Sequence, residues 1–139
     1  VNFKQFLVEN NVKSYLEKIV KIFDKVLEDM PAAETGDYEA KGHFFPMSKS
    51  REGVTIQFWL IEKNRIAQTA TLWLEDHEDK FDLHLEDVYI PDDFKNRGYM
   101  TKVLTEIRKL PFISGRCKVH VAVNPGWKKI IDRSGFEWL

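Results

Sequence analysis

Between Val54 and Ile90 the chain reads as three strands separated by residues suited to turns, the first of them a run alternating between apolar and other side chains. Val54, Ile56, Phe58 and Leu60 alternate with Thr55, Gln57, Trp59 and Ile61, the period of two expected of a β-strand. Lys63-Asn64 predicts a tight turn, because Asn tolerates a positive φ. A second strand is expected from Ile66 to Leu74. The acidic run Glu75-Asp76-His77-Glu78-Asp79 then turns the chain into a third strand, Phe81–Ile90. Strands joined this tightly pair antiparallel. His77 has no second ligand pair at helical or hairpin spacing, so it reads as part of a solvated hairpin tip and no metal site is expected.

Helical periods flank this block. Val12, Leu16, Ile19, Phe23, Val26, Leu27 and Met30 recur at steps of three and four, forming one apolar stripe. Asn10 or Asn11 can cap that helix and Pro31 ends it, while Phe3, Phe6 and Leu7 predict a short helix ahead of it. Residues 31–53 show no clear period. His43–Met47 reads as a short strand, and the rest, with Glu34, Gly36 and Asp37, reads as loop. Beyond Pro91 the period changes: Met100, Val103, Leu104 and Ile107 mark a helix from near Gly98 to just before Pro111. Val119, Val121 and Val123 mark a further strand. Asn124 can cap a last helix with Pro125 at its first position, Trp127, Ile130 and Ile131 facing inward, and Gly135 stopping it. The order of elements is that of an α/β protein. One domain is expected over 1–139, with a helical and loop region at 1–53 ahead of a core at 54–139.

Composition narrows the function. The 139 residues suit one domain with a real core, at 43% hydrophobic. A net charge of -1, from 21 basic and 22 acidic residues, argues against a dedicated nucleic-acid binder. The single cysteine, Cys117, leaves no internal disulfide. No apolar run approaches the roughly 20 residues of a membrane helix, and Val1–Glu9, which carries Lys4 and Glu9, does not resemble a signal segment. A soluble, cytoplasmic domain without a membrane partner is expected.

The chemistry concentrates in Val88-Tyr89-Ile90-Pro91-Asp92-Asp93-Phe94-Lys95-Asn96-Arg97-Gly98-Tyr99-Met100-Thr101. A strand runs into a turn that delivers backbone N–H groups to a helix N-terminus, which carries about half a positive charge and suits a phosphate or pyrophosphate. Gly98, lacking a Cβ, allows close approach of an anion, and Lys95, Arg97 and Lys102 add positive charge.

This segment resembles the pyrophosphate-binding motif of the GCN5-related N-acetyltransferase family, Gln/Arg-x-x-Gly-x-Gly/Ala. Lys95 takes the first position, Gly98 the first glycine and Met100 the last small position. A second match comes later in the chain: where the family often has Asn, a small residue three on, a Tyr seven on and Gly-Phe at eleven and twelve, this chain has Asn124, Trp127, Ile131, Gly135 and Phe136. The resemblance covers 81–139, is compatible with the hairpin at 54–74, and says little about 1–53. It implies a mixed, mostly antiparallel sheet flanked by helices, with strands splayed at an acetyl-CoA site. Backbone groups of Val88, Tyr89 and Ile90 would pair with pantetheine, the amides of Arg97, Gly98, Tyr99, Met100 and Thr101 would hold the pyrophosphate, and Asn124 would help hold the pantetheine arm. The family usually ends with two further strands, and Leu139 falls within the first.

Transfer to an amine requires a deprotonated nucleophile and a polarised thioester. His84, Glu86, Val88 and Ile90 share one face by parity, about where the family places its general base. His84, which titrates near neutral pH, is the first candidate, Glu86 the second; Asp87 points the other way. Three residues depart from the family pattern. Ile131 stands where a Tyr often protonates the thiolate, leaving Tyr99 and Ser134 as hydroxyls to consider. Met100 replaces a small residue and would crowd the diphosphate, and Lys95 lacks the fork of Arg. The resemblance therefore implies an acetyl-CoA-dependent N-acyltransferase acting in a ternary complex and compatible with a homodimer. The alternative is a degenerate binding or assembly module. The acceptor class stays open between a small-molecule amine and a protein amine.

Overall fold

The alternating block folds into the centre of a six-stranded sheet with neighbours in chain order. The computed structural model describes residues 3–30, 38–48, 51–89, 97–120 and 126–139, with side chains for 12–30, 38–46 and the three later segments. Its elements are α1 (Phe3–Asp29), β1 (Tyr38–Ser48), β2 (Arg51–Leu60), β3 (Arg65–His77), β4 (Lys80–Glu86), α2 (Tyr99–Arg108), β5 (Ile113–Val119), α3 (Gly126–Arg133) and β6 (Glu137–Trp138). β1 to β4 pair antiparallel; β5 joins β4, and β6 joins β5, in parallel. This is an α/β domain with a mixed, mostly antiparallel sheet. Parallel neighbours need a crossover connection, and α2 and α3 supply the two.

Register decides which face each side chain takes. Val54 pairs with Leu72, Leu72 with Leu85 and Leu85 with Val119, while Leu74, Leu83 and Cys117 form a second row across the same face. Against this face α1 lays its expected stripe: Leu16, Ile19 and Phe23 are wholly buried. Burying a side chain of this kind contributes about 1.5–3 kcal/mol. Met100, Val103, Leu104 and Ile107 of α2 and Ile131 of α3 join the same core. All three helices thus share one face. The other carries Thr55, Thr71, Trp73, His84 and Glu86, and no described helix covers it.

The turns match their sequence signals. Asn64 takes φ 48° between β2 and β3 and accepts a bond from Trp59 Nε1 at 3.2 Å. Gly135 ends α3, with Phe136 N–H donating to Ile131 O at 3.2 Å. The positions of the proposed cap, Asn124 and Pro125, lie outside the described residues, as do 31–37 with Glu34, Gly36 and Asp37.

Four expectations need correction. A single helix runs through Asn10 and Asn11 to Phe3, where a short separate helix and a cap were expected; Asn costs a helix interior only a few tenths of a kcal/mol, so the backbone ladder carries through. The second difference is β1, an eleven-residue strand where the sequence offered only His43–Met47. Its inward positions include Ala40 and Gly42, opposite Phe58 and Ile56, and these cannot register as an apolar row. They are small because α1 passes in contact: a Cβ on Gly42 would lie 2.6 Å from Val20 Cγ2. The third is β5, which occupies Ile113–Val119, ahead of the expected valine run. Gly115 silences its pattern too, since a Cβ there would meet Arg108 at 2.8 Å. Val121 and Val123 lie outside the described residues. Finally, β4 ends at Glu86, short of Ile90.

The Gly42 contact is testable. Val is stiff at χ1 on a helix, so overpacking Val20 should cost about 1–3 kcal/mol against roughly 0.4–1 kcal/mol gained from the less flexible unfolded chain. Gly42→Ala should therefore lower stability by about 1 kcal/mol in urea unfolding, and adding Val20→Ala should recover part of it. An unchanged midpoint would mean that α1 stands off the sheet.

Candidate functional site

The strand leading to the glycine turn is irregular. Thr71 pairs with Glu86, so an unbroken ladder would set Val88 against Thr69. Instead Tyr89 N–H donates to Thr69 O at 2.8 Å. β4 therefore carries one extra residue, and Asp87 accommodates it with φ 44°, a conformation that Asp tolerates better than most. This is a β-bulge, a device that bends a strand and re-aims the chain beyond it. On the other side, His120 N–H donates to Leu85 O at 2.9 Å, continuing the β4–β5 pairing to the residue before the bulged stretch. Val88 is half-buried and Tyr89 exposed. Ile90, Lys95 and Asn124 lie outside the described residues.

α2 begins at Gly98, whose φ of 74° and ψ of 18° are left-handed, and no side-chain cap bond is found among the described residues. The first ladder bond runs from Lys102 N–H to Gly98 O at 3.0 Å. Nothing described lies within 4 Å of where a Cβ on Gly98 would stand. Arg97 and Lys102 are exposed beside it. The side chains of Tyr99 and Met100 turn into the core, at 1% and 6% exposure, which takes the Met100 side chain into the packing between helix and sheet. A groove of about 540 Å³ runs between α1 and the first turns of α2, lined by Lys21, Lys25, Met30, Thr101, Lys102 and Thr105 among others.

The acid candidates are engaged in packing. Ile131 is wholly buried and Ser134 nearly so, with Ser134 Oγ donating to Ile130 O at 2.6 Å. Tyr99 OH donates to Phe23 O at 3.0 Å, and burial pushes its pKa upward, with Asp24 adding to the shift. Trp127 packs half-buried against the core. Burial, with Asp82 nearby, pushes the Cys117 thiol up to about 12, so it is not a nucleophile at neutral pH.

On the face that carries no described helix, parity does bring His84 and Glu86 together. Glu86 Oε1 accepts from Trp73 Nε1 at 3.0 Å, and His84 stacks on the same indole, centroids 3.7 Å apart and 11° from parallel. The Arg51 guanidinium lies 4.3 Å from the centre of that indole. His84 is only 4% exposed. Its Nδ1 shares a hydrogen bond with His120 Nε2 at 2.7 Å. Its Nε2 is buried without a hydrogen-bond partner among the described residues, and the nearest acidic oxygen there, Glu75 Oε1, lies 3.6 Å away. Burial lowers the His84 pKa, opposed by Glu75 and reinforced by His120. A neutral imidazole results.

Neither His120 nor Trp73 was visible as a site residue from sequence. His120 reaches His84 only through a parallel pairing made by a crossover, which no local pattern encodes. His77 also differs from its reading. The tip at Glu78 and Asp79 is exposed, but His77 is half-buried and Arg116 Nη1 donates to its ring at 2.6 Å. Asp82, 3% exposed, accepts from Ser114 Oγ at 2.6 Å and lies 3.6 Å from Arg116 Nη2. No cluster of three or more metal-ligating side chains occurs among the described residues, and no described helix is long and apolar enough to cross a membrane.

Comparison of the chain with protein-family models and with curated proteins finds no match.

The lowered His84 pKa has a signed consequence. The unfolded chain takes up this proton first as pH falls through about 6.5, so protonation favours unfolding. The His84 contribution is intact above that pH and is lost between it and the lower folded value. Stability measured by denaturant unfolding should fall across that window, and His84→Phe, which keeps the stack, should flatten the decline. An identical pH dependence in the variant would show that His84 is not a buried neutral group.

Proposed function

We propose that this domain is an acetyl-CoA-dependent N-acyltransferase that transfers the acyl group directly to an amine. The observation that carries the reading is the conjunction at the end of β4: a bulged strand, parallel to β5, leading to a helix whose N-terminus begins at a left-handed glycine. Backbone donors at such an end suit a diphosphate. Val88 would offer pantetheine the backbone groups on the β5 side, since the N–H of Tyr89 is bonded to β3. Lys21, Lys25 and Lys102 along the α1–α2 groove would attract the remaining phosphate of CoA. Acceptor and thioester would meet near the bulge, beside the neutral His84 pair.

The second reading, a degenerate binding module of the same fold, draws on the core. Ile131 is wholly buried, and the Tyr99 and Ser134 hydroxyls are bonded to core carbonyls, so none of these three residues is placed to protonate a thiolate. A thiol of pKa near 8–9 leaves without an acid, more slowly.

Calorimetry with CoA, then thiol release over a panel of amines, separates the two readings; absence of CoA binding would sink both. Gly98→Asp should weaken binding at least about 100-fold, because it places an anion against the diphosphate. Gly98→Asn, which tolerates the left-handed backbone and carries no charge, should lose far less. Unchanged affinity in a folded Gly98→Asp protein would move the site elsewhere.

A further inference from the structure

We propose that His120, oriented by His84 and Glu75 on the face of the sheet that carries no described helix, is the base that meets the acceptor amine. The proposal rests on the acyl-transfer reading and reassigns its base. His84 is 4% exposed and its Nδ1 is occupied, so it does not touch an acceptor. His120 is exposed and sits at the last described β4–β5 hydrogen bond, level with Leu85, beside the bulged stretch.

Electrostatics fixes the tautomers of the pair. His84 Nε2 faces Glu75 Oε1 at 3.6 Å; a lone pair there would oppose a carboxylate, whereas an N–H presents its positive edge. The neutral ring therefore carries its proton on Nε2 and accepts at Nδ1. The 2.7 Å contact is then a bond donated by His120 Nε2–H, which leaves the lone pair of a neutral His120 on Nδ1. Glu75 is held for this task by Arg51, whose Nη2 donates to its other oxygen at 3.0 Å. Among the charged groups facing the pair, Glu75 on β3, Asp82 and Glu86 on β4, Arg51 on β2 and Lys118 on β5 are the ones packed nearby. The exposed ring of His120 is accessible to an acceptor, and the buried ring behind it aligns it.

In the transfer step the ammonium of the acceptor gives one proton to His120 Nδ1. The freed lone pair attacks the thioester carbon, a C–N bond forms and the C–S bond breaks with its electron pair leaving on sulfur. The nitrogen loses a second proton, which ends on that sulfur to give the CoA thiol. His120 returns the first proton to solvent.

Nitrogen-15 NMR of the histidine rings, above their titration range, should find the proton on Nε2 of both His84 and His120. In kinetics, His120→Ala should lower kcat by about 10²–10⁴-fold while CoA affinity by calorimetry holds. His84→Phe and Glu75→Gln, which alter positioning residues, should lower it less and move the acid limb of the kcat/KM profile. A His84 proton on Nδ1, or full turnover in His120→Ala, overturns this assignment of the base even where CoA binds. Failure of the wild-type chain to bind CoA overturns the acyl-transfer reading and the assignment with it.

Discussion

Three aromatic rings set the position of the helix end on which the rest depends. Phe23 of α1, Phe58 of β2 and Tyr99 of α2 meet edge to face, with centroids 6.2, 6.4 and 5.9 Å apart. Such pairs contribute about 0.5–1.5 kcal/mol each beyond their buried area. The Tyr99 hydroxyl adds a bond to the Phe23 carbonyl, and burial keeps that hydroxyl protonated. Tyr99 is the first residue of α2, directly after Gly98. The triangle therefore anchors the first turn of α2 to the core. Under the acyl-transfer reading, binding a flexible, multiply charged ligand there would gain from such an anchor, because less ordering is left to the moment of binding.

The two faces of the sheet divide the work. On the helix-covered face the rows Val54, Leu72, Leu85 and Leu74, Leu83, Cys117 are apolar, and the Tyr99 and Ser134 hydroxyls beside them are bonded to backbone. On the open face a polar ladder crosses four strands, from Arg51 through Trp73 and His84 to His120. The indole makes this ladder workable. It offers one cation a π-face, stacks on a flat imidazole, and donates its N–H to Glu86. His84 is thereby shielded from water on a face that carries no described helix, which is why desolvation dominates its titration. Arg51 meanwhile bonds one oxygen of Glu75 and leaves the other toward His84.

Legibility in the sequence tracked residue size. The hairpin from Val54 to Leu74, the helix stripes and the stops at Gly135 and Asn64 were readable because each depends on neighbours within a turn or two. β1 and the start of β5 were not, since Gly42 and Gly115 stand where Val20 and Arg108 cross, and close packing there removed the very side chains that announce a strand. Parity alone put His84 and Glu86 on one face. The bulge at Asp87 was hidden, because Asp is ordinary in a strand end and only the register with β3 exposes the extra residue. His120 was beyond reach for a different reason: its partner lies 36 positions away, joined through a crossover.

The buried imidazole bears on the choice between enzyme and relic. His84 Nε2 has no hydrogen-bond partner among the described residues, and a buried nitrogen left so costs about 1–3 kcal/mol, a sizeable part of the roughly 5–15 kcal/mol that holds an ordinary domain together. A phenyl ring would stack on Trp73 equally well without that cost, so packing alone does not account for His84. Strained or costly polar groups concentrate where chemistry is done. The core residues show the opposite character, with Ile131, Tyr99 and Ser134 each fully accounted for by packing and backbone bonds. Under the acyl-transfer reading, a missing acid on the helix side and a costly polar pair on the other face are compatible with one enzyme, because thiolate departure tolerates a missing acid, whereas an ammonium cannot attack until it gives up its proton.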